Sequence, residues 1–251
     1  MSKMLYLKRV LGEKIFWLSV LTTIGLLMCS IVYTDVETGQ KYTFISMFYD
    51  EVAREALDCG LISMYDVLLG YDTSYLWMFC PIIAGVPCVL TKKTERFVLF
   101  RMSKRKYVLW RYRANLVSGG IIMASSYAIY MMLGMSLVGQ NMWDMNLTKK
   151  LLSVFAWGIC TSLMATVMME FVKNKYLILC VPFVLNYFMN MFTWDMLPYD
   201  LRGCFATSNY QNLFLNEGTR LVYPIIFLSV LIFAGGILKC VVIERRCDCG
   251  Q

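Results

Sequence analysis

Residues 91–138 read TKKTERFVLFRMSKRKYVLWRYRANLVSGGIIMASSYAIYMMLGMSLV, and their character changes at Leu116. The first 25 of them include nine Lys or Arg residues and one acidic residue, Glu95. Residues 116–138 carry no charged side chain, and a run of about 18 or more apolar residues is a candidate membrane-spanning helix. The chain therefore joins a strongly basic segment directly to an apolar one.

The composition of the whole chain indicates a membrane protein. Of its 251 residues, 59% are hydrophobic and only 16% are charged, and the mean hydropathy is +0.57. An ordinary soluble domain is about half apolar and about a quarter charged. The net charge of +7 would suit a nucleic-acid partner, but the basic residues lie between long apolar runs. We therefore expect membrane lipids, and no nucleic acid, as partners.

Six apolar runs predict an all-α, polytopic membrane protein with six transmembrane helices. The whole chain, residues 1–251, is expected to form a single transmembrane domain. The predicted spans are about 15–34, 75–90, 116–138, 151–172, 176–194 and 221–243. The second run contains Pro81 and Pro87, so we expect a kinked or broken helix there.

The distribution of charge between the runs predicts the orientation. Residues 1–14 have a net charge of +3, residues 91–115 of +8 and residues 35–74 of −6. Basic loops remain on the cytoplasmic side of a membrane. The N- and C-termini, residues 91–115 and the turn at Lys173 are therefore expected to be cytoplasmic. The external side is expected to hold residues 35–74, 139–150 and 195–220.

The connector 91–115 is longer than topology alone requires. Arg101, Lys104 and Arg105 are spaced i, i+3 and i+4, so a helix would present them on one face. Such a basic helix can bind anionic lipid or a cytoplasmic protein. The residues leave open these two roles and a third one, in which the charges only fix the topology.

The order of these features resembles that of the permease subunits of type-2 ABC exporters. In that family, a cytoplasmic loop between the second and third spans contains a Glu followed by a basic segment, and it docks on the ATPase as a coupling helix. The matching residues here are Thr94-Glu95-Arg96 and Arg101-Met102-Ser103-Lys104-Arg105-Lys106-Tyr107. Residues 1–14 resemble the family's interfacial helix. The resemblance implies that coupling to the ATPase involves Glu95, Arg96, Arg101, Lys104, Arg105, Tyr107 and, in the second cytoplasmic turn, Glu170.

The resemblance also implies an energy-coupled exporter built from separate chains. The chain has no histidine and no G-x-x-x-x-G-K-[ST] phosphate loop, so it lacks the residues for histidine-dependent catalysis and for P-loop binding of ATP. We expect no enzymatic activity, cofactor or metal in this chain, and ATP with Mg in a partner ATPase. The expected assembly has two permease copies, as a homodimer or heterodimer, in a bacterial plasma membrane. The expected substrate is amphipathic: a peptide such as a bacteriocin, a drug or a lipid.

Polar side chains in two predicted spans are candidates for a substrate path. Asn186 and Asn190 are four residues apart in the fifth span and would share a helix face. Tyr127 and Tyr130 add hydroxyl groups to the third span. The alternative interpretation is that these groups make hydrogen bonds between helices, as polar residues commonly do in membranes.

Two pairs of glycines predict close helix packing. Gly119-Gly120 lies in the third predicted span and Gly235-Gly236 in the sixth, and small residues let membrane helices approach closely. Lys239 is expected near a cytoplasmic end, and no ionisable residue is expected deep within a span.

The acidic segment 35–74 is expected to contain a helix over residues 45–60. Apolar residues recur there at helical spacing, and Gly60 is a plausible stop. Such a helix is expected to lie on the membrane or to cap the external mouth, and an alternative role for the acidic residues on its opposite face is to steer a cationic peptide. These acids are Asp50, Glu51, Glu55 and Asp58.

Three other functions stay open at this point. The first is a channel or carrier that works without ATP. The second is a membrane scaffold or sensor whose basic connector binds a different cytoplasmic partner. The third is an integral membrane enzyme, which the absence of histidine disfavours.

Overall fold

The computed structural model describes a mostly helical chain in several segments. They are residues 11–35, 39–69, 104–172, 174–180 and 229–241, together with Ile83, Gly85, Val86 and Val184. Most of the second predicted span, most of the fifth and the first part of the sixth lie outside the described residues, as do both chain ends. The six-span architecture and its orientation therefore stay predictions.

Helices dominate the described residues. In chain order, the elements are α1 (Lys14–Met28), β1 (Ile31–Thr34), β2 (Lys41–Thr43), a 3₁₀ helix (Phe44–Phe48), α2 (Glu51–Asp58), α3 (Met64–Leu69), α4 (Lys104–Val138), α5 (Met145–Phe171) and α6 (Ser229–Val241). Residues 175–180 are also helical. Among the described residues, two segments are long and apolar enough to cross a membrane, Leu109–Val138 in α4 and Met145–Met169 in α5. Helices α1 and α6 are shorter and also apolar.

The all-α prediction is wrong between α1 and α2, where the chain forms an antiparallel β-ribbon. The first predicted span, 15–34, is helical only as far as Met28. The residues of β1 are mostly β-branched or aromatic, which favours an extended backbone. Tyr33 stacks on Tyr42 across the ribbon, with ring centroids 6.0 Å apart. The apolar character of this run was therefore correctly recognised, but its backbone changes from helix to strand.

The helix predicted over residues 45–60 is divided in two. Its first turn belongs to the 3₁₀ helix, and α2 starts only after Asp50. The Asp50 carboxylate accepts hydrogen bonds from the backbone N–H groups of Val52 and Ala53, at 3.0 and 3.4 Å. This capping satisfies backbone donors that have no partner within the helix. Gly60 has a φ of +75° and ends the helical segment, as the sequence predicts.

Helices α4 and α5 form an antiparallel pair that is closely packed at glycines. A Cβ atom added to Gly158 would lie 2.5 Å from the Gly119 carbonyl oxygen and 2.8 Å from the Met123 side chain. A Cβ atom added to Gly120 would lie 2.7 Å from the Phe155 ring. The predicted packing role of the first glycine pair is confirmed, because larger residues would force the two helices apart.

Residues 30–35 and 39–69 form a small folded unit, which we call the cap. Its apolar residues share one core with the end of α1, the second half of α4 and the first half of α5. The largest fully buried members of this core are Leu27, Phe44, Met47, Leu68, Tyr130, Met131 and Leu147. The cap therefore covers the end of the α4–α5 pair at which the two helices are connected.

The other two helices pack along this pair. The Val20 carbonyl of α1 accepts a hydrogen bond from the Ser126 hydroxyl of α4 at 3.2 Å, and Leu11, at the start of the described chain, packs in the cluster that includes Trp110. Helix α1 therefore runs parallel to α4. Helix α6 packs on the other half of the pair, where its residues share a cluster with Tyr112 and Leu163.

Candidate functional site

The residues predicted to couple to an ATPase lie before and within the ends of α4 and α5. Outside the described residues are Glu95, Arg96 and Arg101. Within helices, but with side chains outside the description, are Lys104, Arg105, Tyr107 and Glu170. Because α4 and α5 are antiparallel, the start of α4 and the end of α5 lie at the same end of the pair.

We call this the basic end: residues 104–115 of α4, 166–171 of α5 and 235–241 of α6. Helix α4 continues without a break from Lys104 to Val138. The second half of the predicted connector and the whole of the third predicted span are therefore one helix. Sequence reasoning placed a boundary near residue 115 because the side chains change there from charged to apolar, but the backbone does not change.

Hydrogen bonds and a buried lysine connect the three helices at the basic end. The Tyr112 hydroxyl donates to the Ile232 carbonyl at 2.7 Å. Lys239 is 4% exposed, and its ammonium group donates to the Thr166 carbonyl at 3.5 Å. The same ammonium lies 6.0 Å from the centroid of the Tyr112 ring. Lys239 lies near the predicted helix end, as expected, but it is buried between helices.

Tyr127 and Tyr130, which were predicted to line a substrate path, lie between α4 and the cap. The buried Tyr127 hydroxyl donates to the Leu68 carbonyl at 2.8 Å. The Tyr130 ring is completely buried, with its centroid 4.3 Å from that of Phe44. The Tyr127 contact matches the alternative interpretation, in which a hydroxyl joins neighbouring elements, whereas Tyr130 contributes its ring to the shared core. The other path candidates, Asn186 and Asn190, lie outside the described residues.

Lys150 is a functional candidate that sequence reasoning missed. It was assigned to the external connector 139–150, but it lies in the second turn of α5 and is 1% exposed. Its ammonium group lies 5.9 Å from the centroid of the Tyr127 ring, a distance at which a cation and an aromatic face attract each other. The signal was present in the spacing, because Leu147, Val154 and Trp157 repeat on the same helix face and are buried.

A polar contact fixes the cap to the start of α5. The Tyr65 hydroxyl donates to Asp144 at 2.5 Å, and the Asn146 amide donates to the same tyrosine oxygen at 3.2 Å. Asp144 also caps α5, since its other carboxylate oxygen accepts from the Leu147 N–H at 2.8 Å. The bonds from Leu147 and from Tyr65 hold the pKa of the Asp144 carboxyl below its usual value.

A groove of about 300 Å³ lies within the cap, between β1 and the residues that follow α2. Its lining combines apolar side chains with a few polar ones: Ile31, Val32, Tyr33, Gly60, Leu61, Ile62, Ser63, Asp66 and Val67. On the other strand, burial and the nearby carboxylates of Asp50 and Asp35 raise the pKa of Tyr42. The environment of the ribbon is thus acidic and partly apolar.

The described residues provide a groove in the cap and hydrogen bonds that connect neighbouring helices. Within them, no three His, Cys, Asp or Glu side chains are grouped so that they could hold a metal ion. The described cysteines form no disulfide with one another; they are Cys29, Cys59, Cys160, Cys180 and Cys240. Comparison with protein families, curated proteins and solved structures finds no match to this chain. The resemblance to ABC permeases therefore rests on the sequence features alone.

Proposed function

We propose that the chain is the transmembrane permease subunit of an ATP-driven ABC exporter, which moves an amphipathic substrate such as a peptide, a drug or a lipid. ATP, with Mg, is hydrolysed by a separate ATPase subunit, and a second permease copy completes the membrane part. The observation that carries the proposal is the continuity of α4 from the basic segment into the membrane-spanning segment.

Helix α4 is longer than the hydrocarbon core of a bilayer is thick, so it could transmit a displacement from its basic part to its spanning part. A helix of 35 residues is about 52 Å long at about 1.5 Å per residue, whereas the hydrocarbon core of a bilayer is about 30 Å thick. Roughly 20 Å of helix therefore extends beyond the core, and the charges of α4 lie in that part. A partner that displaces residues 104–115 would displace the spanning part of α4 as well.

The glycine contacts would carry the same displacement to α5. Gly119 and Gly158 bring the two backbones together, and close-packed interfaces shift between discrete arrangements more readily than they deform. The close contact also leaves no room for a water-filled path between α4 and α5 at that level. This disfavours a channel formed by this helix pair.

The directions of the helices agree with alternating spans. The third and fourth predicted spans, in α4 and α5, are antiparallel, and α1 is parallel to α4. Leu163 lies beside Gly235 and Thr166 beside Lys239, so α6 is parallel to α5, as the sixth span would be to the fourth. Positive charge on the cytoplasmic side would place the basic end inside the cell and the cap outside, in a bacterial plasma membrane.

A membrane sensor is the second candidate, and the cap favours it. The cap is bonded to α4 through Tyr127 and Leu68, and α4 continues into the basic end. A ligand on the cap could therefore change the position of a helix that binds a cytoplasmic partner other than an ATPase.

Purification tests the proposal directly. The chain, extracted from its native membrane in mild detergent, should co-purify with an ATPase, and the reconstituted pair should transport only when ATP is present. Transport by the chain alone would replace the proposal with a passive carrier. Stable co-purification with a different cytoplasmic protein, without ATP hydrolysis, would replace it with the sensor.

A matched pair of variants tests the role of helix continuity. Arg113 is exposed on α4, so Arg113→Ala removes one charge and keeps the helix, whereas Arg113→Pro removes the same charge and breaks the helix. We expect both variants to insert and to bind the ATPase, but only the proline variant to lose substrate-stimulated ATP hydrolysis.

Arg113→Gly provides a second test of helix continuity if the proline variant fails to fold. Glycine lowers helix stability by about 1 kcal/mol relative to alanine, so ATP hydrolysis should fall partially. Full coupling in both the glycine and the proline variants would show that a continuous helix is not required.

A further inference from the structure

We propose that the groove in the cap binds an extended, cationic peptide segment, which pairs with the edge of β1 opposite β2. This inference names a binding site that the transport proposal does not contain, and it narrows the ligand to an extended, cationic peptide. It needs neither ATP nor a partner subunit, so it can be tested even if the transport proposal fails.

The shape of the groove limits the size of the ligand. One wall is β1, and the opposite wall is formed by the turn after α2 and by the exposed side of α3. Its volume of about 300 Å³ is at the lower end of the range of roughly 300–1,000 Å³ for ligand pockets. A few side chains of a linear peptide fit this space better than a bulky folded molecule does.

The strand edge gives the groove a way to bind backbone. Among the described residues, β1 pairs only with β2, and Ile31, Val32 and Tyr33 of β1 line the groove. The ladder is irregular between Ile31 and Tyr33, and such irregularities are typical of sheet edges. A free edge can bind an extended peptide as an additional strand, with main-chain hydrogen bonds providing affinity.

Apolar side chains beside this edge provide a second contact. Leu61 is 68% exposed, although it is a large apolar residue, and it lies across the groove from β1 together with Val67. Side chains of a bound strand alternate between its two faces. An amphipathic peptide can therefore place apolar side chains against Leu61 and basic side chains near Asp66.

Charge selects a cationic ligand. Residues 35–74 contain eight acidic and two basic residues, and the exposed Asp66 carboxylate lies on the groove itself. Residues 104–115 of the basic segment lie at the opposite end of α4, so they cannot fill the groove. A second copy of the cap would bring like charges together, and an anionic ligand would be repelled.

Synthetic hexapeptides on the full chain in phosphatidylcholine nanodiscs test the ligand class. The probe alternates Lys and Val; one control alternates Glu and Val, and the other is the Lys–Val peptide with every backbone nitrogen methylated. We expect only the Lys–Val probe, and neither control peptide, to bind more strongly to nanodiscs that contain the chain than to empty nanodiscs. Equal binding of the acidic peptide would overturn the charge selection, and equal binding of the methylated peptide would overturn the strand pairing.

Three surface variants locate the site. Leu61→Ser removes an exposed apolar contact, so binding should weaken by about tenfold. Asp66→Asn should weaken binding by about two- to fivefold, and Glu55→Gln, which removes an equal charge on α2 outside the groove, should have less effect. Equal effects of the two charge changes, or an unchanged affinity in Leu61→Ser, would place the peptide elsewhere.

Discussion

The cap end and the basic end of the α4–α5 pair are built with the same contacts but present opposite charge. At the cap end, the hydroxyl of Tyr127 donates to the carbonyl of Leu68, and Lys150 lies near its ring. At the basic end, the hydroxyl of Tyr112 donates to a carbonyl of α6, and Lys239 lies near its ring. At each end, therefore, a tyrosine hydroxyl joins a neighbouring element to the helix pair, and a buried lysine lies near the ring of that tyrosine.

The difference between the ends lies in what surrounds these contacts. The cap adds an acidic, partly apolar surface, whereas α4 extends the basic end as an uninterrupted helix. The internal contacts thus join the helices and the cap, whereas the outer charges differ between the two ends. The comparison predicts that conservative substitutions of the buried contact residues lower the stability of the fold by similar amounts at the two ends. Substitutions of the exposed charged residues should instead affect a different function at each end.

The largest expected effect is a difference in thiol labelling between the cap end and the cysteines that follow α6, because the two are proposed to lie on opposite sides of the membrane. Cys59 is exposed on the cap, and Cys247 and Cys249 follow α6 in the sequence. A membrane-impermeant thiol reagent added to intact cells should label Cys59 and leave the other two unlabelled. Mild reduction beforehand is needed, because the sequence leaves open a disulfide between Cys59 and Cys204. Labelling of the tail in intact cells would reverse the proposed orientation.

Replacing the glycine that joins the two helices should have the next largest effect. In Gly158→Ala, the added Cβ would meet the Gly119 carbonyl oxygen, so we expect a loss of about 2–3 kcal/mol in the free energy of unfolding. Gly25→Ala on α1 is the control, since a Cβ there has no atom within 4 Å. It should be neutral or stabilise by up to about 1 kcal/mol through helix propensity.

Reversible unfolding in detergent or in bicelles measures the two glycine variants. Because both variants exchange the same residue types, the difference between them reports the helix–helix contact. Equal stabilities would mean that the two helices separate easily, and that the cap end and the basic end are not mechanically connected through this contact.

Hydropathy predicted two of the long helices, because a long apolar helix requires a long apolar run of sequence. It located α4 and α5, and the glycine pair at 119 and 120 correctly indicated close packing. Hydropathy does not distinguish a helix from a strand, which is why the residues of β1 were assigned to the first span. The four residues of β1, Ile31–Thr34, do not by themselves reveal the change in backbone.

The sequence did not predict which side chains are buried by contacts between distant parts of the chain. Lys150 was read as a connector residue because charged side chains are usually exposed, and only the packing of the cap beside α5 shows that it is enclosed. The bond between Tyr65 and Asp144 joins residues 79 positions apart. Their separate sequence contexts contain no signal for this contact.

Two tyrosine variants compare the ends with smaller changes. Tyr127→Phe and Tyr112→Phe each remove one buried hydroxyl and leave a backbone carbonyl without that donor. We expect a loss of about 1–2 kcal/mol in each protein. Amide hydrogen exchange should increase in α3 for Tyr127→Phe and in α6 for Tyr112→Phe. Increased exchange at both ends in either variant would contradict the separation of the two sets of contacts.

The smallest effect should be a response of the cap to acid. The pKa of the Asp144 carboxyl is lowered in the folded chain, first by the Leu147 N–H and then by Tyr65. The carboxylate therefore stabilises the fold above its unfolded pKa of about 3.9, and this stabilisation is lost as the pH falls through the lower, folded pKa.

Hydrogen exchange at Leu147, corrected for intrinsic rates, should increase below about pH 4. Asp144→Asn keeps a good helix cap but has no charge to lose, so its exchange should not respond to acid in this range. An equal acid response in both proteins would mean that another group, not Asp144, controls the attachment of the cap to α5.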